Sequence, residues 1–444
     1  MRSTLQNLWK EHRLATFAGA AGLLAVAVAI AGYLILKRPE DKSCPDPCVL
    51  QTTTTAEPVV HAVNWPLYGL NPERTRYLDA TRVKPPYTTK WTFKGRRLLE
   101  YSPVLVENAL YGINNNGMAF SVKKTTGKAR WYSEVATRNA SAPAYSDGMI
   151  YLSNLEPGQV IALTTRDGSV AWKRPLPGRT ESSPVVVGGR VIAGCECGTL
   201  YAFDKKTGKP LWDTDLGGQL KAAPAVSDGV AYIGDYSGTM SAVRINDGSV
   251  KWQSDSQGTG VAAGDFYGTA AVAFGRVYAG SKDGRVYSFN RDTGEVAWSQ
   301  TIGGEVYAGA VAADTRNTPP SVYFGSYGGS TFYALDARDG SVRWSADSGG
   351  SVIGAASLIG ETVYVANLDK TETFAFNAVN GEKVWTFKDG AYNPVISDGV
   401  RLYLTGYKTL YALKPRTPAD VRRKAKAAEA KKTAAGKKAG KKQG

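Results

Sequence analysis

The chain has 444 residues with 43% hydrophobic residues, 49 Gly and 21% charged residues, a composition that suits one large, turn-rich folded body and excludes a wholly disordered chain. Its formal net charge of +15 is concentrated at the ends: residues 414–444 carry 12 Lys/Arg against two acids, and residues 1–42 carry six against three. The body between them is near neutral, so its charge gives no reason to expect nucleic acid there.

Residues 1–13 are polar and basic (Arg2, Lys10, Arg13) and read as a cytoplasmic N-terminus. Residues 14–36 follow without a charge, rich in Ala, Leu, Val and Ile. That length spans a bilayer. A signal peptide cleaved near Ala29-Ile30-Ala31 is the alternative, but the apolar run continues through Tyr33-Leu34-Ile35-Leu36 beyond that point. The expectation is an uncleaved, single-pass membrane anchor with the body on the extracytoplasmic side. Residues 37–61 form a Pro/Thr-rich linker containing Cys44-Pro45-Asp46-Pro47-Cys48. A Cys44–Cys48 disulfide is expected if the compartment is oxidising. The two histidines, His12 and His61, lie outside the repeats that follow, so no metal site is expected.

Residues 62–413 are organised by one repeated unit. Its clearest copy is GTLYAFDKKTGKPLW at 198–212, with degenerate copies at 117–131, 158–172, 238–252, 284–298 and 330–344 and one ending at Trp385. Alternating side chains such as Leu200, Ala202 and Tyr201, Phe203 predict a strand. A Thr-Gly, Asp-Gly or Asn-Gly pair predicts a tight turn. The Trp then stands on the next strand, in position to pack between sheets. These Trp are Trp131, Trp172, Trp212, Trp252, Trp298, Trp344 and Trp385, and with Trp91 their spacings are 40, 41, 40, 40, 46, 46 and 41 residues. A period near 40 with two hairpins per unit predicts propeller blades. Trp91 and the segment TLYALKPR from Thr409 are halves of an eighth unit, so the expected fold is all-β, an eight-bladed β-propeller. Pairing of the strand around Trp91 with the last hairpin, 400–413, closes the ring and removes the open edges. The two longer spacings place loop insertions near 256–268 and 312–321.

Small residues recur at the start of each inner strand, as in Ser183-Pro184-Val185 and Ala223-Pro224-Ala225. The residues just ahead of them are expected at one mouth of the central channel: Glu100, Tyr101, Asn139, Glu181, Lys221, Tyr267, Tyr307 and Tyr392. Tyrosines with mixed charges can bind a ligand or peptide, or form a wetted rim, and both readings stay open. Residues 414–444 are Lys/Ala-rich with too few large apolar residues for a core, and are expected to be disordered. Their charge suits a polyanion, nucleic acid if the tail is cytoplasmic and envelope polymer or lipid headgroups if it is external, or serves only as a solvated tail that aids solubility.

The entry Asn64-Trp65-Pro66-Leu67-Tyr68-Gly69 followed by these repeats resembles the PQQ-binding-like β-propeller superfamily, over roughly 65–413. That superfamily includes quinoprotein alcohol dehydrogenases and the BamB-type assembly proteins. For the quinoproteins the resemblance implies pyrroloquinoline quinone (PQQ) held between a Trp and a disulfide of adjacent cysteines, with calcium on Glu and Asn and an Asp base. Here Cys195-Glu196-Cys197 is the nearest pair; in an oxidising compartment its thiols are close enough along the chain for a local disulfide, most pairs so close stay free, and no catalytic role is expected. Neither the Asp base nor the metal Glu has a motif, and the propeller has no His for general-base work. The reading is therefore a membrane-anchored, non-catalytic binding scaffold for proteins or envelope polymers, without cofactor. The alternative is a PQQ- and calcium-dependent dehydrogenase.

Overall fold

A computed structural model of the protein describes residues 63–256, 264–393, 395–417, 419, 420 and 422. The expected N-terminus, anchor and linker, with Cys44 and Cys48, lie outside the described residues, as does most of the basic tail. Among the described residues no helix is long and apolar enough to cross a membrane.

The described strands form eight sheets around one axis, an all-β, eight-bladed propeller. Blade 3 shows how the repeat folds. Its strands Val185–Val187, Arg190–Gly194, Thr199–Asp204 and Pro210–Asp215 pair antiparallel in chain order from the axis outward. The second strand is buried along almost its whole length, because neighbouring blades cover both its faces. The outermost strand alternates exposed and half-buried residues, as an edge facing solvent requires. Ala202 pairs with Trp212, and a register shift follows between Ala202 and Phe203.

Each repeat Trp ties its blade to the next. The Trp172 indole donates to the Lys205 carbonyl at 3.1 Å, and Trp212 to that of Ile245 at 2.9 Å. Trp91, Trp131, Trp252, Trp298 and Trp344 do the same one blade further on. The ring lies flat on the turn glycine of that next blade. At Gly208 a Cβ would stand 2.6 Å from Trp172 Cδ2, and φ is +68°. Glycine is thus needed twice over, for the left-handed turn and for the ring's approach. At the split blade no such turn exists, and Trp385 instead meets the edge of Tyr87, with ring centroids 5.2 Å apart.

The ring closes between Tyr87–Lys94 and Thr409–Pro415, with Trp91 opposite Ala412. Lys414 and Pro415 pair with Thr88 and Tyr87, and the Arg416 amide donates to Pro86. The propeller therefore runs past the boundary at 413 expected from sequence, because the closing strand needs these residues to match the length of its partner. The insertion expected at 312–321 is the connection between strands Val311–Ala313 and Ser321–Gly325 of blade 6. The tip of the other, 257–263, lies outside the described residues.

The segment ahead of the closing strand runs inside the ring. Inner strands are edges, and their axis-facing amides need acceptors. The carbonyls of Trp65, Pro66, Pro72, Glu73, Thr75 and Arg76 accept from the amides of Leu105, Tyr145, Val226, Val272, Ala312 and Leu358, on blades 1, 2, 4, 5, 6 and 7. Val63 donates to Asp398 of blade 8, and Arg74 reaches the Ser183 and Pro184 carbonyls of blade 3. Tyr77–Leu78 then adds a parallel fifth strand to blade 7. One strap thus bonds to all eight blades and fills the channel, leaving a cup at one mouth.

Candidate binding site at the channel mouth

The cup is lined by residues that immediately precede the inner strands. Glu100, Tyr101, Glu181, Lys221, Tyr267, Tyr307 and Tyr392 all reach it, together with Tyr68, Ile353, Gly354, Gly309 and Asn393. Seven of the eight mouth residues expected from sequence are therefore brought together. Asn139 is not among them. It is buried, its amide donates to the Ser141 carbonyl at 2.9 Å, and its Oδ1 accepts from Asn154 at 3.2 Å. Its side chain finds these partners within blade 2, so this correction follows from ordinary polar satisfaction. Tyr68 has no blade-strand pattern to announce it, because the strap carries it to the cup.

A charge network crosses the floor. Glu181 accepts from Lys221 at 3.2 Å and from the Tyr267 hydroxyl at 3.1 Å. Arg179 bridges Glu181 at 3.8 Å to Glu196 at 3.6 Å. Glu100 faces the same space; burial, then repulsion by Glu181, pushes its carboxyl up to about 7. Near neutrality it can donate as well as accept. Burial, followed by the nearby carboxylates, also raises Tyr267 far above the usual phenol range.

The aromatic wall continues out of the cup. Tyr236, Tyr267, Tyr307 and Tyr327 follow one another, with Tyr267–Tyr307 and Tyr307–Tyr327 meeting edge to face at centroid distances of 5.3 Å. Tyr327 at the outer end is 40% exposed. Lys221 and Lys282 stand over Tyr236 at 5.1 and 5.7 Å. The arrangement offers flat apolar faces, hydroxyls and flanking ammonium groups to an extended chain.

The residues present do not match a quinone pocket. The cup wall carries tyrosines, whereas the repeat Trp side chains stand on outer strands. Cys195 and Cys197 are bonded to each other, and neither lines the cup. Asn393 is committed: its amide donates to the Glu100 carbonyl at 3.1 Å and its Oδ1 accepts from Tyr68 at 3.3 Å. The free volume is about 40 Å³, room for roughly three waters. Among the described residues no three His, Cys, Asp or Glu side chains gather as a metal set.

Eight blades of four strands, one of them extended by the strap, and a docked Trp at each blade junction define a PQQ-like propeller. The family model described as outer membrane protein assembly factor BamB matches residues 87–198, 158–387 and 319–436, and the chain belongs to that family. Outer membrane protein assembly factor BamB of Escherichia coli (strain K12) is 30% identical over 114 residues, 22% of this chain and 29% of that protein. The Burkholderia pseudomallei protein of the same name is 32% identical over 126 residues, 26% of this chain and 32% of that one. The matches thus span about a third of these relatives' length.

Among solved structures, BamB from Moraxella catarrhalis superposes with a TM-score of 0.61 at 17% identity, covering 74% of this chain and all of that one. A europium-containing methanol dehydrogenase gives 0.68 at 14% identity, covering 79% and 98%. These two likenesses establish the fold and carry no chemistry.

Proposed function

We propose that the protein is a non-catalytic scaffold that holds polypeptide segments at the cup mouth, as an assembly factor for envelope proteins. The tyrosine run from Tyr236 to Tyr327 carries this reading, because it joins a half-buried floor to an exposed rim with faces suited to side chains of many shapes. Membership of the family named for outer membrane protein assembly supports it, and so does the poor fit of the cup to a quinone. In the same reading, residues 14–36 anchor the chain in a membrane with the propeller outside the cytoplasm, and no cofactor is required.

The test titrates the full chain with labelled peptides of alternating apolar and polar residues, the pattern of membrane β-strands, followed by fluorescence anisotropy. Saturable binding is expected. Tyr307→Ala and Tyr327→Ala should each weaken it by roughly tenfold, since an aromatic contact contributes about 1.5 kcal/mol. Unchanged affinity in both variants would overturn the reading. So would dye reduction by the protein that appears only after PQQ and calcium are added, which would favour the dehydrogenase instead.

A further inference from the structure

The strap places two arginines at the propeller axis, and both are buried, Arg74 at 0% and Arg76 at 3% exposure. No carboxylate among the described residues forms an ion pair with either. Arg74 is satisfied by carbonyls: Nε donates to Pro224 at 3.1 Å, Nη2 to Pro184 at 3.1 Å, and Nη1 to Tyr68. Arg76 is different. Its guanidinium carbon stands over the Tyr68 ring, 3.9 Å from the centroid, and its Nε and Nη2 find no acceptor among the described residues.

These two nitrogens form one edge of the guanidinium, the edge that receives a carboxylate in paired, parallel hydrogen bonds. Arg76 lines a small cavity of about 10 Å³ with Ser102 and Ser357 beneath the cup. Tyr68 and Asn393 line both spaces, and their 3.3 Å hydrogen bond stands between them. Nη2 also sits beside Gly309 of the cup wall, 3.4 Å from where a Cβ would be.

Two desolvated cations side by side are costly without a counter-charge. The cost registers on Arg74, which burial, followed by repulsion from Arg76, lowers to about 9. We propose that the Nε–Nη2 edge of Arg76 is a binding site for a carboxylate that enters from the cup when the Tyr68–Asn393 hydrogen bond opens, since with that bond closed the space at Arg76 holds about one water. The proposal does not rest on the scaffold reading. A free small carboxylate and the carboxy-terminus of a polypeptide share the required chemistry.

The test follows the melting temperature of the full chain at constant ionic strength, as a bulky sulfonate counter-ion is replaced by acetate. A saturable rise is expected, with no rise from acetamide. Arg76→Lys should weaken the apparent affinity at least about tenfold, because an ammonium lacks the planar fork. Arg76→Met should abolish the response, while the exposed Arg166→Gln should retain it. If Arg76→Met does not fold, the contrast of acetate with acetamide on the unaltered chain still decides. Equal effects of the two, or an acetate response that survives in Arg76→Met, would overturn the proposal. A short peptide acid that competes with acetate, where its amide does not, assigns the site to polypeptide termini. Failure of both peptides assigns it to free carboxylates.

Discussion

Glu100 shows how a single side chain records the shape of the cup. Its carboxyl titrates near 4.5 in the open chain and is pushed up to about 7 in the fold, by burial first and by Glu181 second. A carboxyl with a raised folded value favours the folded state only while protonated. Stability should therefore fall as pH rises from about 4.5 through 7, with the whole penalty present above that. The displacement corresponds to about 3 kcal/mol. Chemical denaturation at pH 5 and pH 8 should show this loss in the unaltered protein, and Glu100→Gln should flatten it. An equal slope in the variant would show that another group titrates there.

At the scale of elements, the strap does what no blade strand does, because it bonds to all eight blades at once. Arg74 is its central fastener, tying blades 3 and 4 to the turn at Tyr68 through buried carbonyls. Arg74→Met keeps the length of the side chain and leaves those carbonyls without donors, each at a cost of about 1–3 kcal/mol. The expected loss is on the order of 3–5 kcal/mol. It should appear as a lower denaturation midpoint, together with protease cleavage within 63–86. Protection of that segment equal to the unaltered protein's would mean that the backbone bonds hold the strap unaided.

For the whole molecule, closure and charge are separable. The ring is sealed by Tyr87–Lys94 on Thr409–Pro415, whereas the +10 charge belongs to residues 414–444 and falls mainly beyond 422. Deleting residues 423–444 should leave the melting temperature within about 1 °C of the full chain, since local changes of that kind seldom exceed 0.5 kcal/mol. Retention on anionic vesicles should drop on deletion, and in the full chain it should weaken steeply between low and high salt. Salt-insensitive, equal retention of the two forms would leave the tail no role in surface attraction.

Much of the fold was legible because its signals are local. A strand, a turn glycine and a Trp recur within 15 residues, and each blade repeats that unit at nearly constant spacing, so blade number and ring closure follow from counting. The cup was legible in seven positions for the same reason, since each residue precedes a recognisable inner strand. Asn139 broke the pattern because a short polar side chain took partners in its own blade, Ser141 and Asn154, which spacing alone does not reveal. Tyr68 and the two strap arginines could not be read at all. The blade residues that the Arg74 and Tyr68 side chains hydrogen-bond lie 109 to 325 residues away along the chain, and no period links them. Sequence by itself determined the blades, because strand pairing and turn chemistry act over a few residues. Only the tertiary structure decided what fills their centre, because the edge amides of six inner strands and carbonyls of the other two blades meet one segment there only after the ring has closed.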